Sequence, residues 1–156
     1  MPRPSLTNAT AAIGLALGFA FGAPPIGAES LDIGRATFAE QDAKTEQIST
    51  DELRRILVDG AAILLDTRTA AEYAAGHIPG AHFLGDNAAT QLAALTQLVG
   101  GDKSKALVLY CNGPYCQASR RFSEQLLAAG FANVRRYQLG MPVWRALGGP
   151  TEINLD

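Results

Sequence analysis

The chain contains few of the residues from which metal sites and disulfide frameworks are built. Its 156 residues include two cysteines, two histidines and one tryptophan. Two cysteines cannot form the multiple-disulfide framework of a small secreted domain, and two histidines leave few ligands for zinc. We therefore expect neither a metal nor a cofactor. A chain of this length suits one domain whose core is large enough to fold without such cross-links.

The chain also lacks a strong excess of charge. It carries 13 Lys and Arg residues against 15 Asp and Glu residues, which gives a formal net charge of −2. Proteins that bind nucleic acid usually present a basic surface, so we expect no nucleic-acid partner. Apolar residues make up 47% of the sequence, which is ordinary for a soluble α/β domain with one added apolar segment.

The first 28 residues have the layout of a targeting segment. Arg3 precedes residues 11–23, a stretch of thirteen residues without a charge, and the small residues Gly27 and Ala28 follow. This order is typical of a secretory signal peptide. A membrane-spanning helix needs about 20 apolar residues, more than this stretch provides. We therefore expect cleavage after Ala28 and a periplasmic protein. The alternative is an uncut membrane anchor that holds the domain outside the cytoplasm.

A polar leader and one α/β domain follow. Residues 29–47 have no sustained hydrophobic period, and we interpret them as a loose leader to a domain over residues 48–156. In this domain, apolar runs suited to buried strands alternate with amphipathic stretches suited to helices. The predicted strands are residues 61–65, 81–84, 105–110 and 134–139. The predicted helices run from a Ser49 cap to Asp59, from a Thr67 or Thr69 cap to Ala75, and over residues 87–99, 117–129 and 143–147. Such alternation predicts a mostly parallel sheet with helices on both faces.

Residues 107–121 contain both cysteines and define the predicted site. Cys111 follows a strand-like run, and Cys116 immediately precedes the helical pattern that starts near Gln117. A thiol at the carboxyl end of a strand, facing the amino end of the next helix, is stabilised as a thiolate by unpaired N–H groups and by the helix dipole. We therefore predict that Cys111 is the reactive centre. Asp66 also follows a predicted strand, so we expect it at the same rim of the sheet.

Several stretches resemble the rhodanese superfamily in order and spacing. They are Leu-Leu-Asp-Thr-Arg at 64–68, Gly-His-Ile-Pro-Gly-Ala at 76–81, Tyr-Cys at 110–111 before a helix, and Gly-Phe-Ala-Asn-Val at 130–134. The resemblance implies a rhodanese-like fold and a single-domain sulfurtransferase that carries sulfane sulfur as a persulfide on Cys111. It also implies a small donor, such as thiosulfate or a persulfide, and a thiol, cyanide or protein acceptor.

The loop that begins at Cys111 is predicted to cradle the persulfide. Successive backbone N–H groups can form an anion nest, and the following helix adds its dipole. The predicted cradle comprises Asn112, Gly113, Pro114, Tyr115, Cys116 and Gln117. Proline has no N–H, so it removes one donor. In the resembling family the Asp-x-Arg unit organises the rim, and we expect this supporting role for Asp66 and Arg68. Arg120 or Arg121 is expected to border the pocket, with Arg120 as our candidate and a solvated surface position as the alternative.

The loop also separates sulfur chemistry from phosphate chemistry. The resembling sulfurtransferases have a loop of six residues, whereas related phosphatases have one more residue and end in an arginine that binds phosphate. Here the loop spans residues 111–116 and ends in Cys116, which argues against a phosphatase. Cys116 also stands where the sulfurtransferases often have a basic residue. The alternative function is therefore a sulfur-delivery or binding module with weak turnover of small donors.

Cys116 has three interpretations. It is a small apolar residue packed in the helix interface, or a resolving thiol that forms a disulfide with Cys111 and releases sulfide, or one half of a dithiol oxidoreductase site. The spacing differs from the Cys-x-x-Cys of thioredoxin-like proteins, which makes the third interpretation the weakest. His77 lies in a predicted tight turn, and we expect a structural role for it in place of a general base.

Overall fold

The computed structural model describes residues 32–153, in which strands and helices alternate along the chain. The strands are β1 (Glu46–Gln47), β2 (Ile63–Asp66), β3 (His82–Phe83), β4 (Leu107–Tyr110) and β5 (Val134–Tyr137). The helices are α1 (Thr50–Asp59), α2 (Ala70–Ala74), α3 (Ala88–Leu98), α4 (Gln117–Ala128) and α5 (Gly140–Ala146). The predicted signal peptide lies outside the described residues. Within residues 32–153, no helix has both the length and the apolar character needed to cross a membrane.

The strands pair in parallel in the order β1-β5-β4-β2-β3. Residues of α1 and α5 pack on one face of the sheet with Leu64 and Val108. Residues of α3 and α4 pack on the other face with Leu65 and Leu109. The central strands are therefore covered on both sides, which explains why they are continuous apolar runs. This architecture confirms the predicted α/β fold.

The register of β2 and β4 determines where the predicted site forms. Leu64 lies opposite Val108, and Asp66 lies opposite Tyr110 at the ends of the two strands. Because the strands are parallel and end together, Asp66 and Cys111 emerge at one edge of the sheet. This is the rim at which parallel sheets bind their ligands.

The predicted loose leader contributes to the sheet. Glu46 and Gln47 form β1 and pair with β5, and the Ile48 N–H donates to the Arg136 carbonyl oxygen at 2.9 Å. The ordered fold thus begins before Ile48, contrary to the prediction. A two-residue polar strand has no hydrophobic alternation, and its backbone pairing leaves no mark in the sequence pattern.

The residues ahead of β1 are tied to the rest of the domain. We call residues 36–45 the N-terminal strap. Its Glu40 carboxylate accepts hydrogen bonds from Arg120 on α4 and from Arg136 on β5, and its Phe38 ring contacts the Tyr115 ring, with centroids 6.0 Å apart. The strap therefore connects β5 and α4 with the loop between Cys111 and Cys116.

The structure determines the first residues of two helices that the sequence did not place correctly or uniquely. Thr69, and not Thr67, caps α2, in a capping box with Glu72. The Thr67 hydroxyl instead donates to the Tyr110 carbonyl oxygen at 2.8 Å. The last helix begins at Gly140, three residues earlier than predicted. Pro142 is tolerated there because the N–H groups of a first helical turn have no partner within the helix.

Candidate active site

A buried polar network holds the rim beneath Cys111. The Tyr110 hydroxyl donates to Asp66 Oδ2 at 2.6 Å and accepts from the Ile78 N–H at 3.1 Å. The Arg68 guanidinium donates to both carboxylate oxygens of Asp66 and, at 2.9 Å, to the Gly76 carbonyl oxygen. Asp66 and Arg68 are therefore partners of each other inside the rim, the supporting position expected from the sequence.

Tyr110 and Arg68 keep fixed protonation states at neutral pH. Burial first, and then the negative charge of Asp66, raise the pKa of Tyr110 well above its ordinary value, so the phenol remains a donor. Burial alone would lower the pKa of Arg68, but its hydrogen bond to Asp66 and the carboxylate charge outweigh burial and raise that pKa. Two of the groups that anchor the end of β4, the Tyr110 phenol and the Arg68 guanidinium, therefore keep their protonation states in the physiological range.

Cys111 and Cys116 are joined by a disulfide, with their Cα atoms 6.2 Å apart. Residues 113–116 form a β-turn in which the Cys116 N–H donates to the Gly113 carbonyl oxygen at 3.1 Å. Pro114 occupies the second position of this turn, where its fixed φ is favourable. The disulfide excludes the interpretation of Cys116 as a free packed thiol. The hydrogen bond of the turn already uses the Cys116 N–H, so this donor is not available to the predicted cradle.

The amino end of α4 provides backbone N–H donors that the loop itself lacks. Cys116 is the N-cap residue of this 12-residue helix and makes no side-chain capping hydrogen bond. The first N–H groups of the helix therefore have no cap, and the positive end of the helix dipole lies beside the cysteine pair. An anionic sulfur on Cys111 would be stabilised there.

Helix α5 supports the loop from the other side. The Met141 N–H donates to the Cys111 carbonyl oxygen at 2.9 Å, and the Gln138 amide donates to the Pro114 carbonyl oxygen at 3.3 Å. Gly140 adopts a φ of 64°. A Cβ at this position would lie 2.5 Å from the Gly113 nitrogen, so only glycine allows the close approach.

A cavity of about 520 Å³ opens beside the disulfide. Its lining includes both cysteines and a mixture of charged and neutral polar side chains. They are Cys111, Cys116, Asn112, Arg68, Arg121, Glu72, Asp86, Thr67, Thr69, Gln91 and Gln125, together with Ala118 and Phe122. The cavity is therefore large enough to hold a small organic molecule beside the cysteine pair.

Arg120 does not border the cavity, contrary to the expectation from the sequence. Arg120 forms ion pairs with Glu40 and Glu124 and does not line the cavity, whereas Arg121 does. Arg121 has no ion pair with any residue in 32–153. Both arginines follow the loop by about one helical turn, and the face of the helix that each occupies depends on the register of α4. The guanidinium available to an anionic ligand is thus that of Arg121.

Acidic groups stand at the same cavity. Glu72 accepts hydrogen bonds from the Thr69 N–H and hydroxyl and from the Asn112 amide. These bonds, led by that of the Thr69 N–H, lower the pKa of Glu72, so it is ionised at neutral pH. Asp86 adds a second carboxylate. The Thr69-x-x-Glu72 spacing signals the capping box, but nothing in the sequence places Glu72 beside Asn112.

The other residues singled out from the sequence lie away from the cavity. His77 is buried, with Nδ1 3.0 Å from the Tyr73 carbonyl oxygen and its ring stacked on that of Tyr73. Tyr115 points outward and is 86% exposed. Within residues 32–153, no group of three or more His, Cys, Asp or Glu side chains is arranged to hold a metal ion.

The fold and the position of the cysteine loop define a rhodanese-type α/β domain. The family model described as the rhodanese-like domain matches residues 49–147, and the chain therefore belongs to this family. The solution structure of a rhodanese-like domain from the Anabaena protein Alr3790 is 27% identical, with a TM-score of 0.54, and the match covers 71% of this chain and 80% of that one. A human single-domain sulfurtransferase is 26% identical, also with a TM-score of 0.54, over 65% of this chain and 95% of that one. The chain thus has a sulfurtransferase-like fold.

One curated relative is named as a transcriptional regulator and not as a sulfurtransferase. The HTH-type transcriptional regulator Rv0324 of Mycobacterium tuberculosis is 37% identical over 108 residues, which are 69% of this chain and 45% of that protein. The chain therefore spans less than half the length of this relative.

Proposed function

We propose that the protein is a sulfurtransferase that carries sulfane sulfur as a persulfide on Cys111. The observation that supports this proposal is the position of Cys111. It follows β4 at the rim of the sheet, faces the uncapped amino end of α4 and lines the cavity. A thiolate or persulfide at this position is stabilised by the helix N–H groups and dipole.

The transfer requires the reduced form of the loop, because Cys111 has no thiolate while it is bonded to Cys116. After reduction, the Cys111 thiolate attacks the outer sulfur of a donor such as thiosulfate. The sulfur–sulfur bond of the donor breaks, sulfite leaves, and the outer sulfur remains on Cys111 as a persulfide. A thiophilic acceptor such as cyanide then takes this sulfur as thiocyanate and restores the Cys111 thiolate.

Loading of Cys111 is best tested in a variant that cannot form the disulfide. Cys116→Ser protein incubated with thiosulfate should gain about 32 Da, the mass of one sulfur atom, by intact mass spectrometry. The Cys111→Ser variant is the matched control because it retains the other thiol, and it should neither gain this mass nor form thiocyanate from thiosulfate and cyanide. The proposal fails if Cys116→Ser gains no sulfur from thiosulfate or from an organic persulfide.

A second candidate is a sulfur-accepting module that turns over small anionic donors poorly. The charges of the cavity favour it, since the carboxylates of Glu72 and Asp86 oppose the single guanidinium of Arg121 that has no ion pair. Thiosulfate is a dianion and would be held weakly there. Under this alternative, an organic persulfide or a persulfidated partner protein loads Cys111, while cyanide-dependent turnover of thiosulfate stays near background.

We also propose that the protein is exported to the periplasm and cleaved after Ala28. The charged, apolar and small-residue order of the first 28 residues supports this location, as does the disulfide, because disulfides persist in oxidising compartments. Cell fractionation followed by N-terminal sequencing should find a periplasmic chain that begins at Glu29. A full-length chain in the cytoplasmic fraction would contradict export.

A further inference from the structure

We infer that Cys116 is a resolving thiol that expels the sulfur of the Cys111 persulfide as hydrosulfide, so that the protein reduces sulfane sulfur at the cost of a thiol reductant. This inference rests on the proposed persulfide on Cys111. It adds a second reaction at the same loop, with a different product and a different requirement for electrons.

The loop already holds the two sulfur atoms in the required arrangement. The Gly113–Cys116 turn is closed by its own hydrogen bond. The Cys111 carbonyl is held by the Met141 N–H and the Pro114 carbonyl by the Gln138 amide. The inner sulfur of a persulfide on Cys111 is the same Sγ atom to which Cys116 is bonded here. Cys116 can therefore reach its target within a loop that is anchored on both sides of the turn.

The step balances without an external oxidant. The Cys116 sulfur attacks Cys111 Sγ, a new bond forms between the two Sγ atoms, and the bond from Cys111 Sγ to the outer sulfur breaks. The outer sulfur leaves with the electron pair and takes the proton of the Cys116 thiol, which gives HS⁻. The sulfane sulfur is reduced to sulfide, and the two cysteine sulfurs are oxidised to a disulfide. The product is the bonded pair found in the structure.

The unequal burial of the two cysteine residues indicates which of them an external reductant reaches first. Cys111 is 3% exposed, whereas Cys116 is partly exposed. An external dithiol therefore enters at Cys116 and forms a mixed disulfide there. Cys111 leaves as the thiolate that the amino end of α4 stabilises. A second thiol of the reductant then releases Cys116, and Cys111 is ready for another donor.

Resolution inside the loop competes with transfer to an outside acceptor. A thiol on the same short loop acts at an effective concentration of about millimolar or more, which exceeds that of a dilute acceptor. Sulfide should therefore be the main product when no strong acceptor is present. Cyanide or an acceptor protein at high concentration would divert the sulfur before it is released.

A single-turnover experiment tests the inference. Fully reduced wild-type protein, freed of reductant and given one equivalent of thiosulfate, should release sulfide in step with formation of the Cys111–Cys116 disulfide. The Cys116→Ser variant should instead retain the added sulfur, with first-turnover sulfide release at least about tenfold slower. A near-UV circular dichroism spectrum of Cys116→Ser that matches that of the reduced wild-type protein shows that the variant is folded.

The outcomes separate the inference from the proposed function. If Cys116→Ser loads sulfur but wild-type protein keeps its persulfide equally long, the resolving role is wrong while the sulfurtransferase proposal stands. If Cys116→Ser gains sulfur neither from thiosulfate nor from an organic persulfide, the persulfide proposal fails, and the inference fails with it. If wild-type protein releases sulfide without forming the disulfide, a thiol other than Cys116 accounts for the release, and the inference is again overturned.

Discussion

At the residue scale, Gly140 determines how closely α5 approaches the loop between Cys111 and Cys116. Its φ of 64° belongs to the left-handed region, and a Cβ there would lie 2.5 Å from the Gly113 nitrogen and closer still to the Cys111 carbonyl oxygen. Both neighbours are backbone atoms that the sheet and the turn hold in place. The hydrogen bond from the Met141 N–H to Cys111 therefore depends on the absence of a side chain at Gly140.

We expect Gly140→Ala to lower the free energy of unfolding by about 2–4 kcal/mol, from the left-handed backbone and the overpacked contact together. It should also slow loading of Cys111, because the loop must shift. Urea unfolding and the rate of persulfide formation measure the two effects. Gly60→Ala is the matched control, since Gly60 has a φ of 60° but open space around its Cβ position, and it should cost about 1 kcal/mol without slowing loading. Equal effects of the two substitutions would contradict this role.

At the element scale, the N-terminal strap is held by a nearly buried ion pair. The Glu40 side chain is 9% exposed and that of Arg136 is 1% exposed. Removing one partner of such a pair leaves a buried charge without compensation. The strap also contacts Tyr115 through Phe38, so it touches the loop between Cys111 and Cys116.

We therefore expect Glu40→Gln to lower the free energy of unfolding by about 3 kcal/mol. Glu124→Gln is the control, because Glu124 pairs with the same Arg120 but is 32% exposed, and such pairs contribute about 0.5 kcal/mol. Thermal unfolding of both variants in the same buffer provides the comparison. If Glu40→Gln is no more destabilising than Glu124→Gln, the strap is not part of the cooperative fold.

The elements differ in how far the sequence predicts them. Strands β2 and β4 are continuous apolar runs, and the Ser49 cap of α1 accepts a hydrogen bond from the Glu52 N–H, so their local signals agree with the fold. Strand β1 forms only through backbone pairing with β5, and the start of α5 depends on contacts with the loop. Tertiary packing determines these two elements, and a local sequence pattern carries no information about that packing.

The candidate site also has some features that the sequence predicts and others that it does not. The position of Cys111 follows from strand and helix signals on either side of it. Whether Cys116 bonds to Cys111 depends on closure of the Gly113–Cys116 turn, and whether Arg120 or Arg121 faces the cavity depends on the register of α4. The sequence contains the residues for both outcomes in each case, and only the packed structure distinguishes them.

At the scale of the whole molecule, the disulfide closes a short loop and should contribute little to global stability. The two cysteines are five positions apart, and the chain-entropy relation gives about 2 kcal/mol for a loop of this size. We expect a reductant to lower the Tm of the wild-type protein by roughly 5–10 °C. The Cys111→Ser variant has no disulfide to lose, so its Tm should not respond. Unfolding of the wild-type protein on reduction would contradict a working thiol pair and indicate a structural cross-link.

The pairing of β1 with β5 has a consequence for the order in which parts of the protein fold. Strand β1 precedes every other strand in the described part of the chain, yet it pairs with the last strand, β5. The ion pair of Glu40 likewise forms with Arg136, which lies 96 positions later in the chain. Contacts so distant along the chain form late in folding. The two cysteines are only five positions apart, so under the proposed export their disulfide can form before the edge of the sheet does. Under the proposed function, a newly exported chain would then hold the Cys111–Cys116 disulfide and need one reduction before Cys111 could accept sulfur.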